Sequence, residues 1–132
     1  MDIDSKIDSI LDFYVKLTGR TKLKITPALG SGIKARLREG YEVEDCIKVI
    51  RWKHSQWWDD DHMKNFCNPI TLFRPCHFAI YLCEAEENLE VIIKEEYDKF
   101  VECIFESRQK DKYLKFEDYR AKYLAGEVVS NG

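Results

Sequence analysis

The chain has no long apolar run, no Cys-x-x-Cys pair, no His-x-x-x-His pair and no glycine-rich phosphate loop, and it holds only three prolines in 132 residues. Each absence removes a class. A membrane span needs about eighteen continuous apolar residues, and no stretch approaches that length. Met1 runs into Asp2, Asp4 and Ser5 instead of a basic, apolar signal peptide, so the expected location is the cytoplasm. No Ser-His-Asp constellation is apparent, and enzyme activity is not expected.

Cysteine is present but irregular. Cys46, Cys67, Cys76, Cys83 and Cys103 are odd in number and unpaired in spacing, which suits small reduced core residues better than a disulfide framework. A zinc site drawn from Cys67, Cys76, His77 and Cys83 is the alternative, but its spacing matches no usual finger or ribbon. No metal and no cofactor are expected.

What is abundant is charge and apolar side chain together, 34% and 45% of residues, the balance of a globular domain. The net charge is only −3, too small to announce a nucleic-acid binder. Its distribution is uneven. Residues 19–53 carry nine Lys/Arg against four Asp/Glu, whereas residues 84–107 carry two against nine. Two regions of opposite potential are expected.

Helical periodicity dominates and strand-like alternation is brief, so the reading is an all-α single domain, residues 1–132, of five to six helices with one long helix in the C-terminal half. Asp4 or Ser5 is expected to cap a first helix with Ile7, Ile10, Leu11, Tyr14 and Val15 on its apolar side, stopped at Thr18-Gly19. Thr26 with Pro27 starts a second, whose Leu29, Ile33 and Leu37 recur every four residues despite Gly30 and Gly32. A third covers residues 43–58 and places Val43, Cys46, Ile47, Ile50, His54 and Trp57 on one face. Trp52 falls in the opposite, polar row and needs a covering element or a partner.

Asp59, Asp60 and Asp61 with His62 offer a hard-cation or acid-base site as one reading, but three consecutive residues project in different directions, and the favoured reading is the N-terminal signal of a short helix through Phe66. Pro69 stops that helix and Pro75 prepares the next. From Cys76, the residues Phe78, Leu82, Ala85, Leu89, Ile92, Ile93, Phe100 and Ile104 support one long helix or two with a break near Asn88. Phe116, Tyr119, Tyr123 and Leu124 mark a last short helix closed by Gly126, and residues 126–132 are expected to fray.

Several ordered blocks then resemble a known family. They are Thr18-Gly19, the junction from Arg36 through Gly40-Tyr41 to Asp45, Trp57 with Asp60 and Met63, Pro69 with Thr71-Leu72-Phe73, and Phe78 with Tyr81-Leu82. Together they resemble the conserved phage C-terminal domain of replication initiator, or replisome organiser, proteins of phages of Gram-positive bacteria. The resemblance spans residues 10–82. Residues 83–125 add an acidic helix and a short closing helix that it does not cover. It implies a helical core and contact with a replicative helicase, its loader, a primosome protein or single-stranded DNA. The winged-helix half that precedes the domain in such initiators is not expected here, so origin recognition is not carried over.

On this reading Trp57, Leu72, Phe73, Phe78 and Leu82 are core, with Trp57 packing against Leu72, Phe73 and Phe78. Partner or nucleic-acid contacts fall to Arg20, Lys22, Lys24, Lys34, Arg36, Arg38 and Lys48, with Trp52 stacking a base. Glu87, Glu90, Glu95, Asp98 and Glu102 form an acidic partner surface. The leading expectation is a non-enzymatic interaction module in or on bacterial DNA replication. The alternatives are a stand-alone anti-host inhibitor, such as an anti-CRISPR or DNA-mimic protein, and weak single-stranded DNA binding. A homodimer through the apolar side of the acidic helix is a further partner expectation.

Overall fold

Asp2 opens the first helix by accepting the Ser5 amide hydrogen at 2.7 Å. In the computed structural model, which describes residues 2–125, α1 runs Ile3–Thr18. The cap is thus earlier than Asp4 or Ser5, because Asp2 holds the extended backbone a cap requires while residues 4 and 5 are already helical. Gly19, at φ 75°, ends the helix in the left-handed region where a glycine costs least.

The Thr26 side chain accepts from the Leu29 amide and Pro27 takes the first helical position, so α2 (Pro27–Arg38) begins as expected. Helix α3 (Val43–Trp57) starts where the Asp45 carboxylate accepts from the Glu42 amide at 2.9 Å. Asp60 then turns the chain by accepting from the amides of His62 and Met63, at 2.9 and 3.0 Å, and only a 3-10 turn, Met63–Phe66, follows. Asn68 caps a single-turn helix, α4 (Pro69–Leu72). Pro69 therefore starts an element as well as stopping one. Pro75 opens α5 (Pro75–Glu87), and α6 (Leu89–Ser107) follows the interruption at Asn88. A second 3-10 turn, Lys110–Lys112, leads to α7 (Phe116–Leu124).

Seven α-helices form among the described residues, more than five to six. The excess is one turn at Pro69, too short to show a period, and the break that makes α5 and α6 separate. The tail, residues 126–132, with Gly126 as the expected stop, lies outside the described residues.

The chain divides into two compact units at Glu87 and Asn88. In the first unit α3 packs on α5, α1 lies against α2 and α3, and α2 meets α4. Ile10, Tyr14, Ile33, Ile50, Leu72, Phe73 and Phe78 are almost wholly removed from solvent there. Phe73 stacks on Phe78 at 5.3 Å, and Tyr41 meets Phe78 edge-on at 4.8 Å. In the second unit Tyr97, Phe100, Tyr119 and Tyr123 form a buried ring cluster between α6 and α7, with Tyr119 5.3 Å from Tyr97 and 5.2 Å from Phe100.

Trp57 packs against the core that holds Leu72, Phe73, Phe78 and Leu82, but at its edge: it is half-buried and meets Tyr81 edge-on at 5.8 Å. Helix α3 turns Cys46, Val49, Ile50 and Lys53 inward, and that rotation carries its last residue to the flank. The cysteines also divide: Cys46 and Cys67 are buried, Cys103 is partly covered, and Cys76 and Cys83 are exposed on α5. No cluster of metal-ligating side chains occurs among the described residues.

Candidate interaction surfaces

Three groupings of the first unit absorb residues that the sequence presents as surface chemistry. The first joins α3 to α5. Lys53 is 5% exposed, and its ammonium lies 4.2 Å from the Tyr81 ring centre and 4.6 Å from that of Trp57, with Trp52 at 5.8 Å. It donates to Gln56 Oε1 at 2.7 Å and to Glu84 Oε1 at 3.4 Å. The Trp52 indole N–H donates to the same Glu84 oxygen at 3.0 Å. Trp52 is thus covered by α5 and is not a free stacking platform; the covering element is the neighbour the polar row required.

Burial pulls the Lys53 proton affinity down, and the attraction of Glu84 offsets it only in part. The Trp52 hydrogen bond, with the lysine charge behind it, holds the Glu84 carboxyl below its ordinary value. Rings and a carboxylate around an ammonium make a cation-π clasp between two helices.

The second grouping is centred on Arg20. Its guanidinium donates to the Cys67 carbonyl at 3.0 Å and to the Tyr14 hydroxyl at 2.8 Å, and lies 4.9 Å from the centre of the Trp58 ring. Tyr14 donates in turn to the Cys67 carbonyl at 2.7 Å. The Lys64 ammonium sits 4.4 Å from the Trp58 centre, and His54 stacks on the same indole at 4.9 Å. Burial pushes the Cys67 thiol up to about 11 and the Cys46 thiol up to about 12, so both are inert at neutral pH.

The third is Arg36, 4% exposed, which donates to the Phe73 carbonyl at 3.3 Å and pairs with Glu39 at 2.6 Å. Arg20 and Arg36 therefore leave the expected basic surface, because both guanidiniums satisfy backbone carbonyls inside the fold. Lys48 is half-buried and lies 3.6 Å from Glu86. Lys22, Lys24 and Arg38 are exposed and Lys34 is half-buried, so the structure does not gather the eight residues into one surface.

Of the acidic set, Glu90 receives the Nε and Nη2 hydrogens of Arg120, with Nε at 3.0 and 3.1 Å, and Asp98 pairs with Lys94 at 3.1 Å. Glu87, Glu95 and Glu102 are exposed. Sequence reasoning gave no site role to Lys53 and Tyr81, which hold the clasp, or to Val91, Phe105 and Tyr113, large side chains left 57%, 58% and 46% exposed. Val91 and Phe105 stand off the buried row of α6 at a two-heptad separation, a signal that was there to read.

The segment holding these three groupings, Glu84 excepted, is the one that matches a family. The profile of the conserved phage C-terminus covers residues 10–83, more than half of the chain. The chain belongs to that family. No curated protein and no solved structure matches it. The conserved phage C-terminus thus includes the Arg20 and Arg36 hydrogen bonds, the Phe73–Phe78 stack and most of the clasp, while α6 and α7 lie beyond it. Among the described residues no helix is long and apolar enough to cross a membrane.

Proposed function

We propose that this phage domain is a non-enzymatic protein-interaction module that acts in or on bacterial DNA replication, through a helicase, a helicase loader or a primosome protein. The observation that carries the reading is the family match over residues 10–83, taken with the resemblance of the same blocks to replication initiators. The candidate chemical residues in that segment are engaged in packing: Lys53 by rings, Arg20 and Arg36 by carbonyls, Asp60 by a turn. Recognition then falls to outer surfaces, and the cytoplasm of the host is where such a partner is met.

Binding of the purified chain to purified replicative helicase and helicase loader from a Gram-positive host tests this directly by surface plasmon resonance. Saturable binding to one of them, competed by excess free domain, is expected. No binding to the helicase, the loader or the primosome proteins sinks the reading.

The exposed carboxylates Glu87, Glu95 and Glu102 favour one second reading, an inhibitor of a host DNA-processing or defence enzyme that presents acid where that enzyme meets phosphate. Expression in host cells separates the two: unchanged growth and unchanged resistance to phage discard the inhibitor.

A further inference from the structure

The second unit contains an open cavity of about 460 Å³ that the family segment does not include. One wall is α6, with Asp98, Val101, Ile104 and Phe105; the other is the turn carrying Lys110 and Tyr113. Its floor is fixed, because the Tyr97 hydroxyl donates to the Leu114 carbonyl at 2.9 Å and lies 3.3 Å from the Tyr113 hydroxyl. The volume lies in the range of ordinary ligand clefts, about 300–1,000 Å³. The rim is what needs an explanation. Phe105 and Tyr113 stand 58% and 46% exposed beside it, and Val91, 57% exposed, extends the apolar line two turns beyond Asp98. Val91, Asp98 and Phe105 recur every seven residues, so they lie on one strip about 21 Å long at 1.5 Å per residue.

Carboxylates outnumber cations on one flank of the strip, where Glu95, Glu102 and Glu106 are exposed with Lys99 exposed among them. Lys94 is paired with Asp98 within the strip, and Lys110 stands across the cavity. A second copy of α6 laid antiparallel on this strip would set Glu95 and Glu102 against the same carboxylates of its mate, which repels. A helix with an apolar stripe and Lys or Arg beside it meets the same strip with opposite charge.

We infer that α6 and the turn at residues 108–113 form a docking groove for a cationic amphipathic helix of a protein partner, anchored by apolar side chains in the Phe105–Tyr113 cavity. The groove lies outside the family-matched segment and does not depend on the replication reading. Helix-in-groove recognition of this kind takes affinity from a few buried anchors and orientation from the charged flank.

The test uses the full chain, ¹⁵N-labelled, and two synthetic peptides of about 15 residues, the length of the strip, identical in their leucine stripe but carrying lysine or glutamate elsewhere. The lysine peptide is expected to shift amides of residues 91–113, to weaken as salt rises, and to lose about tenfold in affinity in the Phe105→Glu variant. Phe105 is exposed, so that variant should retain its circular dichroism; Glu102→Lys provides a second, purely electrostatic change and should weaken the same peptide. The inference is overturned by equal binding of the glutamate peptide, by shifts confined to residues 1–87, by binding indifferent to both substitutions, or by no binding. Sedimentation of the free chain as a dimer that Phe105→Glu dissolves would assign the groove to a second copy and overturn it as well.

Discussion

At the scale of single residues, the side chains that look most reactive are those the fold has put to structural use. Lys53 illustrates the balance. Burial lowers its proton affinity, so the folded state holds the proton less well than the unfolded chain, and the cost of the buried charge is relieved as pH rises toward the ordinary lysine value. Glu84 behaves oppositely: its depressed carboxyl stabilises the fold above the unfolded carboxylate value, near about 4, and that contribution is lost as pH falls through the folded one. Urea midpoints followed from pH 3 to pH 10 should therefore fall less steeply on the acid side in Glu84→Gln than in the parent, and rise less on the alkaline side in Lys53→Met; parallel curves would refute the clasp. Arg36 makes a simpler case. Replacing it with methionine leaves the Phe73 carbonyl without its buried donor, and a loss of about 1–3 kcal/mol is expected in denaturant melts. Thiol reactivity gives a further check, since Cys76 and Cys83 are exposed while Cys46 and Cys67 are shut in with raised pKa values. Iodoacetamide at pH 8 should label the first two quickly, Cys103 more slowly, and the buried pair only after unfolding, as read by mass spectrometry.

At the scale of elements, two glycines of one helix are predicted to respond differently to the same substitution. Alanine gains up to about 1 kcal/mol in helix propensity over glycine. At Gly30 the new Cβ would meet Ile7 Cγ2 at 3.0 Å, the branch methyl of a half-buried side chain on α1 that must shift by a few tenths of an ångström to admit it. At Gly32 it would meet the Phe73 Cβ at 3.0 Å and the Phe73 carbonyl oxygen at 3.2 Å, and that carbonyl is held by Arg36. Gly30→Ala should be neutral or slightly stabilising, and Gly32→Ala should cost about 1–3 kcal/mol through overpacking, both measured by thermal melting. The propensity of each glycine is legible in the sequence, but its neighbour is not. The same division runs through the whole reading. Thr26-Pro27, Gly19, the Asn88 break and the apolar rows of α1 and α2 could be read because caps and periods act within one turn. The inward rotation of α3, which buries Lys53 and moves Trp57 outward, could not, because it is set by α5 some thirty residues further on. Arg20 and Arg36 looked like surface charge for the same reason: the carbonyls that hold them, at Cys67 and Phe73, are distant in the chain.

At the scale of the molecule, the decisive feature is that the principal core closes before the acidic helix begins. Every member of the large buried cluster lies within residues 10–82, drawn from α1 to α5 and the connections on either side of α4. The second unit has its own centre in Tyr97, Phe100, Tyr119 and Tyr123. Chains of about 60 residues already bury enough surface to fold alone in many cases, so 87 residues with a closed core should do so. The prediction is that residues 1–87 alone keep a helical spectrum and a cooperative urea transition, and still protect the thiols of Cys46 and Cys67 from alkylation while Cys76 and Cys83 react. Thiol protection is the stringent measure, because a collapsed helical intermediate would keep its far-ultraviolet signal yet admit the reagent. A broad transition with all four thiols labelled would mean that the first unit needs α6 and α7 to close, and the two compact units would then be parts of one cooperative whole.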